Sequence, residues 1–300
     1  MAVTPDGHYR CKGSDKMKKC LRAAAAGVMA LLMVVFPVCG QARAEGTENE
    51  TSYPGGIYCT ILGDSIAKGY SSDKSAWIEC YGRLAVKEIA KTENCRYGLM
   101  NFAKNGLASE GMNEKILTQK RVLCSLDKSD LILITLGSND LLNECKSVVQ
   151  DILKTDAKFK SADEALEVLE GAVKKNPLLI LDIIDALSNW DYHQFESQWI
   201  QMMDTINSIK KEDARIIVTE LYNPVANMKL PATMNQVVED IISNMNSIIR
   251  DHAQEYGYGV AELSDSTISV HVQDDGLHPD QQGQQVIADL VCEEYWEMAE

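Results

Sequence analysis

From Gly56 onward, short apolar runs alternate with longer stretches of helical periodicity, and this alternation constrains the fold more than anything else in the chain. The strand candidates are Ile57–Leu62, Tyr97–Phe102, Leu131–Leu136, Arg215–Thr219 and Gly259–Leu263. Between and after them come amphipathic stretches at Trp77–Lys91, Met112–Cys124, Leu141–Lys154, Ala162–Lys210, Thr233–Tyr256 and Gln281–Met298. Such alternation predicts a parallel sheet with helices on both faces. The region from Lys154 to Lys210 puts several helices between two successive strands. Its two apolar stripes, Leu166/Leu169/Val173 and Leu178/Leu179/Ile183/Ile184/Leu187, either pack on the sheet or form a cap over a site.

The first 44 residues read differently. Lys18, Lys19 and Arg22 precede an uncharged run from Ala23 to Ala42, and Ala42-Arg43-Ala44 follows with the small-x-small pattern of a signal-peptidase site. The apolar part, Ala23 to Phe36, is shorter than the roughly 20 residues of a membrane-spanning helix. The expectation is a cleaved signal over residues 1–44, with Met17 as an alternative start, a linker over 45–55, and one catalytic domain over 56–300. That makes the protein secreted or extracytoplasmic. Membrane contact arises only if the signal segment is retained as an anchor.

Cleavage would sharpen the charge balance. Residues 45–300 hold 22 Lys+Arg against 42 Asp+Glu. So acidic a protein repels phosphate backbones, which excludes nucleic acid as a partner and favours a neutral substrate. Six cysteines remain after residue 44, none in C-x-x-C spacing and none with a histidine at ligand spacing, so no zinc site is expected. Cys59 falls inside an apolar strand pattern and reads as a core residue.

The polar residues that matter follow the strands. The first strand runs into Gly63-Asp64-Ser65, the second into Asn101-Phe102-Ala103-Lys104-Asn105-Gly106, and the third into Gly137-Ser138-Asn139-Asp140. In a parallel sheet these carboxyl ends border the ligand crevice. A helical turn starting at Ser65 directs backbone N–H groups at a developing anion, and Asn139 offers a side-chain amide for the same purpose. Near the C-terminus, Asp275 and His278 stand three apart in Asp-Asp-Gly-Leu-His-Pro. A tight turn can set that carboxylate beside the imidazole Nδ1 and leave Nε2 to take a proton from a serine. His193 and His252 lie in helical patterns, and His271 has Ile268 rather than a carboxylate three residues before it.

Each motif alone is weak; their order is specific. Gly-Asp-Ser, a glycine-bearing loop, Gly-x-Asn-Asp and Asp-x-x-His-Pro, spread from about Ile57 to the C-terminus, resemble the SGNH (GDSL-type) hydrolases. The four signature residues fall on Ser65, Gly106, Asn139 and His278. The resemblance implies a flavodoxin-like three-layer α/β/α sandwich with a five-stranded parallel sheet and a helical insertion before the fourth strand. It also implies ester hydrolysis through an acyl-serine intermediate, with neither metal nor cofactor. Ser65, Asp275 and His278 would be catalytic, and Ser65, Gly106 and Asn139 would form the oxyanion hole. Two departures are visible: Ile66 stands where many members have Leu, and Gly111 competes with Gly106 for the second motif. Asp64 is read as a brace of its turn.

Other readings fit less well. No Gly-x-Ser-x-Gly follows a strand, as the α/β-hydrolase nucleophile elbow requires, and no Gly-rich phosphate fingerprint is present. A non-catalytic glycan- or wall-binding protein on the same fold is the alternative class. Within the enzyme reading the substrate is a small-molecule, glycan or lipid ester. Short-chain or carbohydrate acyl esters are the first choice, and lipase or lysophospholipase action on lipid esters the second.

Overall fold

Leu131-Ile132-Leu133-Ile134 is apolar at every position, the signature of a strand buried on both faces. The computed structural model describes residues 55–299 apart from 74, 155–167, 169–170, 173–174, 177, 225 and 227–231. The proposed signal, most of the linker and the Leu166/Leu169/Val173 stripe lie outside the described residues. In chain order the elements begin with β1 (Ile57–Gly63), the single turn α1 (Ser65–Lys68), α2 (Tyr81–Thr92) and β2 (Tyr97–Asn101). Next come α3 (Ser109–Gly111), continuous with a π-helical turn Met112–Ile116, then α4 (Lys120–Leu126), β3 (Leu131–Thr135) and α5 (Ser138–Ile152). They continue with α6 (Leu179–Ser188), α7 (His193–Asn207), β4 (Arg215–Thr219), α8 (Ala232–Asp251), α9 (Ala253–Tyr256) and β5 (Tyr258–Ala261). A 3-10 turn, Thr267–Val270, leads to the closing helix α10 (Gln281–Glu297).

The five strands are all parallel in the order β2-β1-β3-β4-β5, so the fold is a flavodoxin-like α/β/α sandwich. Alternate strand residues serve opposite layers. Cys59, Ile61, Leu131, Leu133 and Ile217 pack with α2 and α10. Leu62, Ile132, Ile134, Ile216 and Val218 pack with α4, α5, α7 and α8. Cys59 is fully buried, and burial holds its thiol well above the ordinary value. Among the described residues no helix is long and apolar enough to cross a membrane.

Three local expectations are corrected. The stretch 112–124 is two helices, because the chain leaves helical geometry after Leu117 and Gln119 is extended (φ −83°, ψ 123°). The helix expected from Trp77 starts at Tyr81: Cys80 is extended (ψ 149°), and the preceding loop is tied outward by the Glu79 N–H, which donates to Gln281 Oε1 at 2.8 Å. Strand ends shift by one or two residues, most at β5, which closes at Ala261. As for the second stripe before β4, Ile183 and Leu187 are buried in the same core as α5 and α8, whereas Leu178 is exposed. Those two side chains belong to the layer on the sheet.

β1 lies between β2 and β3, so the chain leaves β1 to one side and returns on the other. Connections diverge at this switch point, and a crevice opens beyond the carboxyl ends of β1 and β3.

Candidate active site

Gly63 ends β1 with φ +145°, and a Cβ there would sit 2.3 Å from the Thr135 carbonyl oxygen of the adjacent strand. Only glycine allows that approach. The Asp64 N–H then donates to the same carbonyl at 3.2 Å, fixing the turn. Asp64 caps α1, its Oδ1 accepting the Ile66 N–H at 2.8 Å, and Ser65 becomes the first residue of the helical turn. Its N–H therefore belongs to the set a helix start leaves unsatisfied.

The β3 exit repeats the device. Gly137 (φ +121°) turns the chain beneath Leu221, and α5 begins at Ser138. Asn139 Nδ2 donates to Asp64 Oδ2 at 3.1 Å. One amide hydrogen is thereby committed and a second remains on the same nitrogen. Asp140 accepts from the Ser109 N–H and hydroxyl, joining the start of α5 to the segment that follows β2. The loop after β2 is drawn to the site by the Lys104 N–H, which donates to the Gly63 carbonyl at 2.9 Å. Gly106 sits in its turn with φ +73°, exposed, with nothing within 4 Å of a hypothetical Cβ. Gly111 lies inside the helical segment, its would-be Cβ 3.1 Å from Leu107. Of the two glycines, Gly106 is the one with open space before it.

After β5 the chain makes the 3-10 turn, pairs Val272 with Pro279 and closes a loop around Gly276 (φ +69°). Asp275 Oδ1 accepts the N–H groups of Leu277 and His278, each at 3.0 Å, while Oδ2 lies 2.7 Å from His278 Nδ1. His278 Nε2 is 2.8 Å from Ser65 Oγ. Carboxylate, imidazole and hydroxyl thus form one continuous chain across 213 residues of sequence. With Nδ1 protonated toward Asp275, Nε2 accepts the serine O–H. His271 sits instead at the end of the 3-10 turn, His252 pairs with Glu196 at 3.1 Å, and Asp274 is exposed.

The electrostatics divide along the same lines. Burial pushes Asp64 up to about 6, against the Ile66 hydrogen bond and the His278 charge, which pull it down; the Asp140 charge adds to the rise. Burial likewise raises Asp140 to about 6, with the Ser109 bonds opposing. Asp275 goes the other way. Burial would raise it, but the hydrogen bond and charge of His278 and the two backbone N–H bonds hold it below the usual carboxylate value.

Several partners of these residues carry no motif. Tyr70 packs its ring on the His278 imidazole with centroids 4.4 Å apart. The buried Tyr222 hydroxyl donates to the Leu277 carbonyl. Gln284, fully buried, donates to the Ile66 carbonyl at 3.0 Å and accepts the Tyr81 N–H at 2.7 Å, anchoring α10 beneath the Ser65 turn. Gln273 bridges the histidine loop and the segment after α1. Only the run of polar residues around the Asp-x-x-His signals such a role for Gln273. An apolar groove of about 450 Å³, its open mouth included, is lined by Leu141, Leu142, Tyr222, Val238 and Ile242 together with Ile66, Ser138 and Leu277, the chain neighbours of Ser65, Asn139 and His278. Among the described residues no group of three His, Cys, Asp or Glu is placed to hold a metal ion.

A parallel α/β/α sheet with a serine, histidine and aspartate joined by hydrogen bonds at its switch point is an arrangement suited to ester hydrolysis. Residues 60–291 match the sequence profile of the GDSL-like lipase/acylhydrolase family, and the chain belongs to that family. It is a carboxylic ester hydrolase. No curated protein is similar enough in sequence to match. Among solved structures it is similar to the lipase Lip_vut3 from a goat rumen metagenome, at 18% identity and TM-score 0.55, over 78% of this chain and 95% of that one. A phospholipase A1 from Streptomyces albidoflavus is similar at 15% identity and TM-score 0.51, over 80% and 99% of the two chains. The acetylxylan esterase Axe2 from Geobacillus stearothermophilus follows at 13% identity and TM-score 0.50, over 80% and 94%. At these identities the likeness is one of fold.

Proposed function

We propose that this protein hydrolyses short-chain or carbohydrate acyl esters, with Ser65 as nucleophile, His278 as general base and then acid, and Asp275 as the group that orients and stabilises the imidazolium. The observation that carries the reading is the unbroken chain from Asp275 Oδ2 through His278 to Ser65 Oγ, with links of 2.7 and 2.8 Å. As Ser65 Oγ attacks the ester carbonyl, its proton passes to His278 Nε2. The same proton then goes to the departing alkoxide, and water repeats the sequence on the acyl-serine to release the acid. The Ser65 N–H, the Gly106 N–H and the uncommitted Asn139 amide hydrogen would hold the tetrahedral oxyanion, each such donor stabilising the transition state by roughly 2.7–4 kcal/mol.

The groove lined by Ile66, Ser138 and Leu277, the chain neighbours of Ser65, Asn139 and His278, is the space assigned to the acyl group. It is apolar, and the buried side chains of Val238 and Ile242 form part of its wall. The excess of 42 acidic over 22 basic residues in 45–300 disfavours anionic headgroups. Lipid esters are the second reading, favoured by that same apolar lining. Hydrolysis rates for p-nitrophenyl esters from acetyl to palmitoyl decide between them. The short-chain reading expects kcat/KM to peak at acetyl to butyryl and to fall at least about tenfold by octanoyl, whereas an optimum at decanoyl or longer selects the lipid reading. Export is part of the proposal and rests on Lys18 to Ala44. The secreted protein should begin at Glu45, and intact mass showing residues 23–44 retained would replace secretion with anchoring.

A further inference from the structure

The loop that carries His278 is held from within and from without. Asp275 fixes the imidazole at its Nδ1 edge, but Asp275 belongs to the same short loop and cannot by itself place that loop against Ser65. The second hold is Gln273, which lies outside the four signature positions. Its Nε2 donates to the carbonyls of Tyr70 and Pro279, both at 2.8 Å. Its Oε1 accepts the Ser72 N–H at 2.8 Å and the Ser72 hydroxyl at 2.9 Å. Its backbone N–H donates to the His278 carbonyl, and its own carbonyl accepts the Gly276 N–H, each at 2.8 Å.

One carboxamide therefore meets two segments. Tyr70 and Ser72 follow the nucleophile turn directly, and the Tyr70 N–H donates to the Ser65 carbonyl at 3.0 Å. Pro279 follows His278, and the backbone bonds of Gln273 close the loop that contains Asp275. The Tyr70 ring, carried on the segment that Gln273 grips, packs against the imidazole. An amide suits this place because it faces two carbonyl acceptors on one side and two donors on the other.

We infer that Gln273 is a positioning residue for ester hydrolysis: its side chain registers the His278 loop against the Tyr70–Ser72 segment and so sets the contact between His278 and Ser65. This rests on the triad reading above. A shift of about 1 Å between base and nucleophile costs on the order of 100-fold in rate, so a register held by side-chain hydrogen bonds has kinetic consequences.

Gln273→Met and Gln273→Glu separate this role from space filling. Methionine keeps the volume and loses all four side-chain bonds; glutamate keeps an acceptor for Ser72 but presents oxygen to the Tyr70 and Pro279 carbonyls. Both variants should lose about 10–100-fold in kcat on p-nitrophenyl acetate, with KM within about threefold and a melting temperature within a few degrees of wild type. A second readout needs no turnover. The proton between His278 Nδ1 and Asp275 Oδ2, 2.7 Å apart, should give a low-field NMR resonance in the wild type, and that resonance should broaden or vanish in both variants at neutral pH. Wild-type kcat with a sharp resonance in Gln273→Met would overturn the inference, as would a rate loss explained by unfolding. A wild-type protein that hydrolyses no ester would sink the esterase reading instead, and the resonance would still decide whether Gln273 holds the loop.

Discussion

The two halves of the site are built by different means. The half that carries Ser65 rests on strand ends: Gly63 brings the chain against the neighbouring backbone, Gly137 turns it under the Leu221 side chain, and the buried Asp64 and half-buried Asp140 tie three turns together. The half that carries His278 and Asp275 is a loop beyond β5, where their side chains are 14% and 26% exposed and where side-chain bonds from Gln273 and Tyr222 hold the loop. In the first half geometry is inseparable from the fold, since moving Ser65 means moving the central sheet. In the second, geometry is an addition to the fold. Loss of a side chain that braces the first half, Asn139 among them, should therefore cost stability as well as activity, whereas loss of the Ser65 hydroxyl or of a side chain in the second half should cost activity alone.

The largest expected effect lies in the loop. His278→Ala should lower turnover by on the order of 10⁶, and Asp275→Asn by up to about 10⁴. Both should melt within a few degrees of wild type, while His271→Ala and Asp274→Asn stay within a few-fold in rate. Steady-state rates on one activated ester, with melting curves of the same samples, check this. Unfolding of His278→Ala would break the comparison, and a His271 or Asp274 variant as damaging as its neighbour would move the triad.

Asn139→Ala tests the other half. Losing one oxyanion donor should cost about 10²–10³ in kcat. Unlike the loop variants it should also destabilise, by about 1–3 kcal/mol, because Asp64 Oδ2 is left buried without that partner. Denaturant unfolding that shows no loss of stability would mean that Asp64 does not brace this side.

The smallest effect is a pH dependence with a definite sign. Asp140 is raised to about 6 from an ordinary value of 3.8, so the folded state holds its proton more tightly than the unfolded chain does. Its stabilising contribution is full below that ordinary value and is lost as pH climbs through about 6. The melting temperature of wild type minus that of Asp140→Asn should accordingly fall between about pH 4 and pH 7. A difference that grows with pH would show that the carboxylate is stabilised as an anion.

What could be read in the sequence follows the same division. Strand ends carrying Gly-Asp-Ser and Gly-x-Asn-Asp are local patterns, and Asp275 reaches His278 within one turn, so these residues were legible without a structure. The holds on them were not. Gln273 meets Ser72 across 201 residues and Gln284 meets Tyr81 across 203, each through a side chain outside the four motifs, and although Asp140 belongs to Gly-x-Asn-Asp, nothing in the sequence names Ser109, 31 residues away, as its partner. The break after Leu117 was equally silent, since Leu117-Thr118-Gln119 contains neither glycine nor proline. The stripe at Ile183 and Leu187 suited a core helix and a cap alike, because periodicity states that a face is covered and not by what.

The central claim is that Ser65 attacks the ester. A fluorophosphonate, which bonds covalently to an activated serine, tests it when the labelled protein is digested and the adduct mapped by mass spectrometry. The account predicts a single adduct, on the peptide carrying Ser65, with labelling and turnover both lost in Ser65→Ala while the melting temperature is kept. An adduct on any other residue, or a Ser65→Ala protein that still turns over more than a few per cent as fast as wild type, would contradict it.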